Sequence, residues 1–367
     1  MKINLIIFIS EFNLGGAGNS LFRLCVNLPK KKYNINVICL NKCAYEKELK
    51  KNKITIYKIF SKKTTLAMFE VKKITKQLIS TKYKKNIFIS NIHYSNILSI
   101  IFLKNLKIKL IIIERTPLQE LSIYFNFKDL IKKIFMKILI SFTYKHAHLC
   151  ISNSNYISSE YNKLYNLKFI SIFPPSFVEE KNLKKKNIFN NKPFIIGTVC
   201  RLSREKGLSE FLITIAKLKS NLKLKFIIIG DGPEENELKK LSIKLGIEKN
   251  IIFQGFLNYK EIKQKLKTFD IYINCSHFEG FPNSVVESLS NGIPVLASQS
   301  HGGINDIINN KKFGYIYKNE KDLMKILLNI YNKKKTFKLN KRETIAHLKK
   351  FSLSKSIKQY SKVFENI

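Results

Sequence analysis

Residues 194–207 have the sequence FIIGTVCRLSREKG, in which an apolar run leads into a short loop rich in cations. The run Phe194–Cys200 has the composition of a buried β-strand, and an amphipathic, helix-like segment begins near Leu208. Arg201 and Lys206 therefore lie just before a helix N-terminus, where unpaired N–H groups and a partial positive charge attract anions. The stretch predicts an α/β fold with a metal-independent diphosphate cradle, although a solvated lysine-rich turn has the same pattern.

Apolar runs of strand length recur along both halves of the chain, with helical stretches between them. The strands predicted in the first half are Ile3–Ser10, Asn36–Leu40, Ile54–Ile59, Ile87–Ser90, Leu110–Ile113 and Leu149–Ser152. Those predicted in the second half are Phe194–Cys200, Phe226–Gly230, Ile251–Gly255, Ile271–Asn274, Pro294–Ser298 and Tyr315–Tyr317. The alternation is typical of βαβ units, so we predict two Rossmann-like, doubly wound domains that face each other across a cleft.

The length of 367 residues also favours two domains, because one hydrophobic core rarely extends over so long a chain. We expect an N-terminal Rossmann-like domain over residues 1–180 and a polar, lysine-rich linker over residues 181–193. The C-terminal Rossmann-like domain then covers residues 194–345. A C-terminal helix over residues 346–367 is expected to pack back on the N-terminal domain.

The formal net charge of +40 indicates an anionic partner or a compositional bias. Lysine, isoleucine and asparagine dominate throughout, as an AT-rich genome produces, and this bias accounts for much of the excess. Because basic residues are attracted to anionic lipid, we also expect contact with an anionic membrane surface. The 27 Phe and 16 Tyr residues could stack on nucleic acid, but no recognised binding motif occurs and the lysines are not confined to one element. We therefore expect no nucleic acid as a partner.

The cysteines and aspartates predict neither disulfides nor a metal site. The six cysteines show no C-x-x-C spacing, which argues against zinc and fits a reducing cytoplasm. The five aspartates include no D-x-D pair, so we expect no metal-bridged diphosphate and no cofactor. Because no apolar run approaches the roughly 20 residues of a spanning helix, we expect the chain not to cross a membrane.

The sequence EGFPNSVVE begins at Glu279 and ends at Glu287. Pro282, followed by Asn283 and Ser284, marks a helix start, which places Glu279 in the loop and Glu287 in the first helical turn. A carboxylate there can accept two ribose hydroxyls, and loop N–H groups can meet phosphate or sugar oxygens. Ser284 and Glu287 also satisfy the S-x-x-E capping box, which by itself would explain Glu287.

A glycine-rich turn, LGGAGNS at residues 14–20, follows the first predicted strand and precedes a helix predicted over Leu21–Leu28. Its three glycines allow backbone to approach a ligand closely, although such turns are also common packing geometry. The turn is not G-x-G-x-x-G, and no suitable acidic residue follows about 20 positions later, so we do not expect a dinucleotide site. The segment Ile229–Pro233 repeats the pattern, and we interpret it as a turn.

The order of these motifs resembles that of the retaining glycosyltransferases of family 4, which have the two-domain GT-B fold. The motifs that carry the resemblance are Gly15-Gly16-Ala17, R-L-x-x-x-K-G at Arg201–Gly207, Ile229–Pro233, Gln254–Phe256, the Glu279/Glu287 pair and Asn291–Val295. They cover nearly the whole chain, and the C-terminal set is the specific part. The resemblance implies transfer of a hexose or N-acetylhexosamine from a nucleotide-diphosphate sugar, preferably a UDP-sugar, to a glycan or lipid-linked saccharide.

By that resemblance, the C-terminal domain binds the nucleotide sugar and the N-terminal domain the acceptor. Arg201 and Lys206 bind the diphosphate, and both are catalytic candidates. Glu287 binds the ribose, and Glu279, the third catalytic candidate, binds the transferred sugar. The implied donor site further includes Gly16, Phe256, Leu257, Gly280, Phe281, Pro282, Asn283 and Ser284.

Two residues are candidates for the acceptor side. Where many similar enzymes have a histidine after the strand Leu110–Ile113, this chain has Glu114 and Arg115, a variant found among enzymes of bacterial surface-glycan assembly. Arg115 is a candidate for orienting an acceptor or donor phosphate, with pairing to Glu114 as the alternative. His93 is the nearest histidine candidate, with a purely structural role as the alternative.

The sequence offers no convincing buried nucleophile, so we expect front-face attack, in which cationic groups stabilise the departing diphosphate. Closure near residues 174–193 would exclude water. Basic and apolar residues mix over Phe125–Tyr144 as in an interfacial helix, although a buried domain helix has the same composition. We expect a cytoplasmic enzyme peripheral to the inner membrane face. The alternatives are a GT-B nucleotide-sugar epimerase and a basic protein that binds nucleic acid or a membrane surface.

Overall fold

The structure, a computed structural model, describes residues 1–124, 126–176, 178, 193–218, 223–309, 311–332 and 339–367. The chain divides into two compact units. The first is formed by Met1–Pro175 with Phe351–Ile367, and the second by Ser176–Lys350. The linker predicted over residues 181–193 lies outside the described residues except for Pro193.

The first unit contains, in its described residues, a seven-stranded parallel sheet. Its strands are β1 Ile3–Ile9, β2 Tyr33–Leu40, β3 Thr55–Ile59, β4 Lys85–Asn91, β5 Lys109–Glu114, β6 Leu149–Ser152 and β7 Phe169–Ser171. They are ordered β3-β2-β1-β4-β5-β6-β7. The helices between them are α1 Gly16–Asn27, α2 Glu46–Lys51, α3 Thr64–Leu78, α4 His93–Leu103, α5 Phe127–Thr143 and α6 Asn155–Tyr165.

The central strand β1 contributes alternate side chains to two separate cores, because successive residues of a strand point to opposite faces. Leu5 and Ile7 are buried in a cluster with Leu24 of α1. Phe8 is buried in a different cluster with Met68 of α3. Helices therefore cover both faces of the sheet, as a parallel sheet with apolar strands requires.

The second unit contains, in its described residues, a six-stranded parallel sheet and a separate two-stranded one. Its strands are β8 Phe194–Val199, β9 Leu224–Ile229, β10 Ile251–Phe253, β11 Ile271–Asn274, β12 Phe278–Glu279, β13 Val295–Ser298, β14 His301–Gly302 and β15 Gly314–Tyr317. The large sheet is ordered β10-β9-β8-β11-β13-β15, and β12 pairs with β14. The helices are α7 Leu208–Leu218, α8 Glu235–Lys244, α9 Tyr259–Leu266, α10 Asn283–Ser290, α11 Ile304–Ile307, α12 Glu320–Asn332 and α13 Lys341–Leu348.

The last helix, α14 Leu353–Asn366, belongs to the first unit although it follows the second in sequence. Tyr360 and Phe364 are buried in the same core cluster as Leu24. The ring of Phe364 meets that of Tyr33 edge to face, with 6.0 Å between the centroids. The helix therefore completes the core on one face of the first sheet.

The strand pattern predicted from the sequence is confirmed, and so are the two parallel α/β domains. The sequence analysis does not predict β7, β12 or β14, which have only two or three residues each. The predicted start of the first helix at Leu21 is wrong. Helix α1 begins at Gly16, since the small residues before Leu21 take helical conformation without an apolar pattern.

The dependence of the first unit on α14 can be tested by truncating Phe364, which is fully buried. Phe364→Ala is expected to lower the free energy of unfolding by about 3–5 kcal/mol, because it removes apolar contacts and leaves a cavity. Chemical denaturation followed by circular dichroism measures the loss. Lys362→Ala, an exposed position on the same helix, is the matched control. Equal stability of the two variants would contradict the packing of α14.

Candidate functional site

Lys206 and Glu279 form an ion pair beyond the carboxyl ends of β8 and β11. Lys206 Nζ lies 2.6 Å from Glu279 Oε2, and the two side chains are only 15% and 20% exposed. Ser276 Oγ donates a hydrogen bond to the same oxygen over 3.0 Å. Burial disfavours the charged form of Lys206, but attraction to Glu279 outweighs burial and raises the pKa of the Lys206 amine. The site thus holds a largely desolvated cation beside a largely desolvated carboxylate.

Arg201 is held more loosely, at the start of the same loop. Its side chain is 69% exposed, and Nη2 donates to Glu205 Oε1 over 2.9 Å. Ser203 Oγ donates to that oxygen over 2.6 Å. Burial of Glu205 opposes ionisation, yet the hydrogen bonds from Ser203 and Arg201 prevail and lower the pKa of its carboxyl group. The guanidinium is therefore anchored at one side and open to solvent at the other.

The loop that carries Arg201 is held by close backbone contacts with the glycine turn after β9. A Cβ added to Gly230 would lie 1.9 Å from the carbonyl oxygen of Cys200, and one added to Gly232 would lie 2.3 Å from that of Leu202. Both glycines have positive φ, +129° and +157°. The turn interpreted from the sequence is present, and its backbone packs directly on the cationic loop.

The position of Glu279 is set by the two-stranded sheet. Glu279 of β12 pairs with Gly302 of β14. Gly302 has a φ of +130°, and a Cβ there would lie 1.6 Å from the carbonyl oxygen of Glu279. Gly303 N donates to the same oxygen over 3.2 Å. Only glycine allows the two backbones to come this close. The β14 backbone therefore fixes the position of the Glu279 backbone, from which the side chain extends.

Helix α10 begins differently from the sequence prediction. Pro282 is its N-cap, and within the described residues no side chain caps the helix. Ser284 is therefore not a cap, and its Oγ instead accepts a hydrogen bond from Tyr272 OH over 2.7 Å. The capping-box interpretation of Glu287 is wrong for this reason. Glu287 is the fifth residue of α10 and lies half-buried in the second turn, not in the first.

The other residues predicted for donor binding lie in two connecting segments. The segment from β12 to α10 consists of Gly280, Phe281 and Pro282, followed by Asn283 as the first helical residue. Asn283 Oδ1 accepts a hydrogen bond from Ser176 Oγ over 3.2 Å. The segment from β10 to α9 contains Phe256, which is 50% exposed, and Leu257. An exposed ring such as that of Phe256 can stack on a nucleotide base.

In the first unit, Gly16 is the first residue of α1, and no side chain of the described residues caps this helix. Ser20 Oγ donates to the Gly16 carbonyl oxygen over 2.8 Å. A Cβ on Gly18 would lie 2.0 Å from the Asn13 carbonyl oxygen, so close packing explains that glycine. The uncapped N–H groups beside Gly16 can bind an anion.

His93 lies at the start of α4 and is part of a buried ion-pair network. Its Nδ1 is 2.7 Å from Glu114 Oε2, and its Nε2 is 3.5 Å from Glu120 Oε2. Glu114 Oε1 accepts hydrogen bonds from Asn96 Nδ2, over 2.7 Å, and from Tyr144 OH. Burial disfavours the imidazolium, but the two carboxylates outweigh burial and raise the pKa of His93 to about 10. His93 is therefore positively charged at neutral pH.

Arg115 follows β5 and is only 8% exposed. Its Nε donates to Asn91 Oδ1 over 3.1 Å, and its carbonyl oxygen accepts from Asn153 Nδ2 over 3.1 Å. Glu114 is engaged by His93 instead, and among the described residues Arg115 has no ion pair. Burial lowers the pKa of the Arg115 guanidinium. A guanidinium that is held by an amide and that forms no ion pair with any described residue is suited to an anionic group.

Sequence reasoning missed the residues that hold these groups in place. Glu205 could have been found, because it lies four residues after Arg201 in the same short motif. Ser276 and Tyr272 gave no signal, because their partners Glu279 and Ser284 are recognisable only once the loop and helix are folded. Within the described residues, no three His, Cys, Asp or Glu side chains group closely enough to hold a metal ion.

Comparison with known proteins identifies the second unit. Residues 179–347 match the family model described as Glycosyl transferases group 1. The chain is 27% identical over 333 residues to N-acetylgalactosamine-N,N'-diacetylbacillosaminyl-diphospho-undecaprenol 4-alpha-N-acetylgalactosaminyltransferase of Campylobacter jejuni, and the alignment covers 84% of each protein. It is 33% identical over 158 residues to alpha-monoglucosyldiacylglycerol synthase of Streptococcus pneumoniae, which covers 41% of this chain but only 35% of that relative.

Comparison with solved structures identifies the fold. The Anabaena protein HepE, crystallised in complex with UDP and glucose, superposes with a TM-score of 0.79 over 99% of each chain, at 18% identity. At that identity the likeness concerns the fold alone. The chain therefore has the GT-B fold and carries a group 1 glycosyltransferase domain, as the resemblance of its motifs implies.

The charge of His93 can be tested through the pH dependence of stability. His93→Ala is expected to cost about 3–5 kcal/mol at neutral pH, because Glu114 stays buried without its cation. The folded-state pKa near 10 lies above the ordinary 6.5, so the stabilisation is complete below pH 6.5 and is lost as the pH rises through 10. Denaturation of both proteins across this range measures it. A stability difference that does not shrink with pH would contradict a charged His93.

Proposed function

We propose that this group 1 glycosyltransferase moves a hexose or N-acetylhexosamine from a UDP-sugar to a glycan or lipid-linked saccharide, with retention of configuration and without a metal. The observation that carries the proposal is the 2.6 Å contact between Lys206 and Glu279, with Arg201 anchored in the same loop. A diphosphate needs cations, and a sugar needs a carboxylate that accepts hydroxyl hydrogen bonds. The loop between β8 and α7 offers the cations Arg201 and Lys206, and β12 offers the carboxylate of Glu279.

Lys206 is the group best suited to the departing diphosphate. Negative charge develops on the phosphate as the glycosidic bond breaks, and a cation in a partly desolvated site stabilises that charge more than it stabilises the ground state. Its raised pKa keeps the amine charged throughout the physiological range. Arg201 donates to Ser203 Oγ through Nε and to Glu205 Oε1 through Nη2, but its side chain is 69% exposed, so in this proposal the guanidinium can reorient towards the phosphate.

Glu279 and Glu287 divide the remaining recognition in this proposal. When Lys206 turns to the diphosphate, Glu279 regains an acceptor oxygen that the hydroxyls of the sugar can use. Glu287, one turn into α10, takes the ribose hydroxyls, and the partial positive charge at the N-terminus of α10 attracts phosphate. Phe256 and Leu257 border the base. The reaction is front-face attack, with the leaving phosphate accepting the proton of the acceptor hydroxyl.

The relatives support the choice of donor and acceptor. The Anabaena structure contains UDP and glucose, and the names of the Campylobacter and Streptococcus enzymes specify a diphospho-undecaprenol saccharide and a diacylglycerol lipid. The Anabaena ligands support a UDP-sugar as donor, and the names of the two enzymes support an acceptor anchored in a membrane. We therefore propose a cytoplasmic enzyme that works at the inner membrane face. None of the described helices is long and apolar enough to cross a membrane.

The first unit supplies the acceptor side in this proposal. Arg115 is the candidate for an acceptor phosphate, because its guanidinium has an amide partner in Asn91 and, among the described residues, no ion pair. The N–H groups beside Gly16 are a second anion site. His93 fits a positioning role, since its charge neutralises Glu114, the residue next to Arg115.

Nucleotide binding provides the first test. The melting temperature of the full chain is expected to rise with UDP or a UDP-sugar in the absence of divalent metal, because a ligand that binds only the native state stabilises it by about 2.7 kcal/mol at 100 times its dissociation constant. Differential scanning fluorimetry against uridine, guanosine and adenosine diphosphates, with and without magnesium and EDTA, measures the shift. A shift in melting temperature that requires metal would contradict metal-independent donor binding. A larger shift with guanosine or adenosine diphosphate would contradict the choice of a UDP-sugar.

Variants of the second unit test the assigned roles. Lys206→Ala is expected to lower kcat by about 10²–10³-fold, the usual effect of removing one group that stabilises developing charge. Glu287→Ala is expected to weaken UDP binding by about 10–100-fold, because a charged hydrogen bond contributes about 1.5–3 kcal/mol. Lys239→Ala, which removes an exposed lysine on α8, is the control. Initial rates measure the change in kcat, and calorimetry measures the affinity for UDP. If both variants behave like the control, the roles assigned to Lys206 and Glu287 are contradicted.

A further inference from the structure

Helix α5 turns an apolar face towards solvent. Six large apolar side chains of this helix are between 47% and 74% exposed: Phe127, Ile131, Ile134, Phe135, Ile138 and Phe142. At about 100° of rotation per residue, all six fall within an arc of about 100°, which is the width of a helix face that normally packs on a core. The opposite side of the helix already does so, with Ile140 and Thr143 buried. The exposed face is therefore a second apolar surface.

Lysines flank this apolar face. Lys128 and Lys132 are exposed along one side of it, and Lys137 lies along the other. Beyond the end of the helix, Lys145 Nζ is 5.8 Å from the centroid of the Phe142 ring. The sequence of α5 contains one acidic residue, Asp129, which pairs with Lys133 at 3.3 Å. The face thus combines apolar side chains with positive charge.

The apolar surface continues onto α4 and α3 of the same unit. Lys132 Nζ is 6.0 Å from the ring centroid of Tyr94, an exposed residue of α4. Phe102 of α4 meets Phe69 of α3 edge to face at 5.1 Å, and Phe69 is 66% exposed. The apolar members beyond α5 are Leu66, Phe69, Tyr94 and Ile101. We refer to these residues, with the six of α5 and Lys128, Lys132 and Lys137, as the basic apolar face.

We propose that the basic apolar face docks on the surface of a bilayer that contains anionic lipid. A helix with this pattern lies in the interface, with its apolar residues at the acyl boundary and its lysines among the headgroups. Lysine side chains can bury their methylene stems beside the apolar residues and still keep the ammonium at the headgroup level. Each lysine near an anionic surface also attracts it electrostatically.

The positive charge of the basic apolar face favours an anionic bilayer over a second copy of the chain as the partner of this face. Two copies joined through this face would bring the lysines of both close together, and each chain already carries a net charge of +40. Like charges brought close across an interface oppose association, whereas an anionic lipid surface complements them. The inference rests on the proposed function in one respect, which is that an acceptor anchored in a membrane requires the enzyme to be at the membrane surface.

Vesicle binding by the full chain tests the proposal. Wild-type protein is expected to float with vesicles of phosphatidylcholine and phosphatidylglycerol, to bind phosphatidylcholine alone at least tenfold more weakly, and to lose affinity as salt is raised. Phe127→Ser/Phe135→Ser should reduce the partition coefficient at least tenfold, because both exposed rings leave the interface. Lys128→Glu/Lys132→Glu should have a similar effect on anionic vesicles only.

Matched controls separate the face from general charge or hydrophobicity. Leu164→Ser/Ile243→Ser removes two apolar residues that are 62% and 64% exposed outside the face. Lys244→Glu/Lys249→Glu changes the net charge equally in the second unit. Both should bind vesicles as wild type does. Every variant should keep its melting temperature and its shift with UDP, so failure of donor binding would count against the proposed function and not against docking.

Two results would overturn the docking proposal. The first is wild-type protein that does not float with anionic vesicles, or face variants that float as well as their controls. The second is a dimer of the wild-type chain, seen by light scattering, that Phe127→Ser/Phe135→Ser dissociates while lipid binding is absent. That outcome would assign the face to a second copy of the chain.

Discussion

The candidate site depends on the ion pair between Lys206 and Glu279, which joins residues 73 positions apart in the chain. Removing two charges from water usually costs about as much as their attraction returns, so such a pair is weak evidence for stability. In our proposal, the ion pair matters for ligand binding and not for stability. A ligand that brings both an anion and hydroxyl groups offers each charge a new partner. In the proposed function, donor binding therefore exchanges one set of contacts for another and does not have to desolvate the charges anew.

The pair can form because backbone segments approach more closely than side chains would allow. Gly207, just after Lys206, has φ +62°, and a Cβ there would lie 2.3 Å from the carbonyl oxygen of Cys275. Gly302 lies even more tightly against the backbone of Glu279, where an added Cβ would be 1.6 Å from the carbonyl oxygen. These contacts fix both ends of the ion pair from the backbone side. Gly207 and Gly302 are thus explained by packing between protein segments, without any close approach of a ligand.

The sequence predicts the sheets better than it predicts the site. Strands such as β1, in which Asn4 is the one polar residue, are nearly continuous apolar runs because both of their faces are buried, and that property is local. The partners of polar side chains are not local. Ser284 has the spacing of a helix cap, but Pro282 takes that position and Tyr272 binds the serine. Arg115 adjoins Glu114 in sequence, yet α4 brings His93 to that carboxylate. A competing tertiary contact decides each case, and one sequence does not reveal it.

The same distinction applies to charge. A net charge of +40 says little by itself, because lysine is spread along the whole chain and much of it reflects composition. The charge becomes informative where the fold places lysines beside a structural feature that composition does not explain. On α5 the lysines border six apolar side chains that no part of the first unit buries among the described residues. Exposed apolar patches of this kind mark interaction surfaces, and in our proposal an anionic bilayer accommodates the lysines and the apolar side chains together.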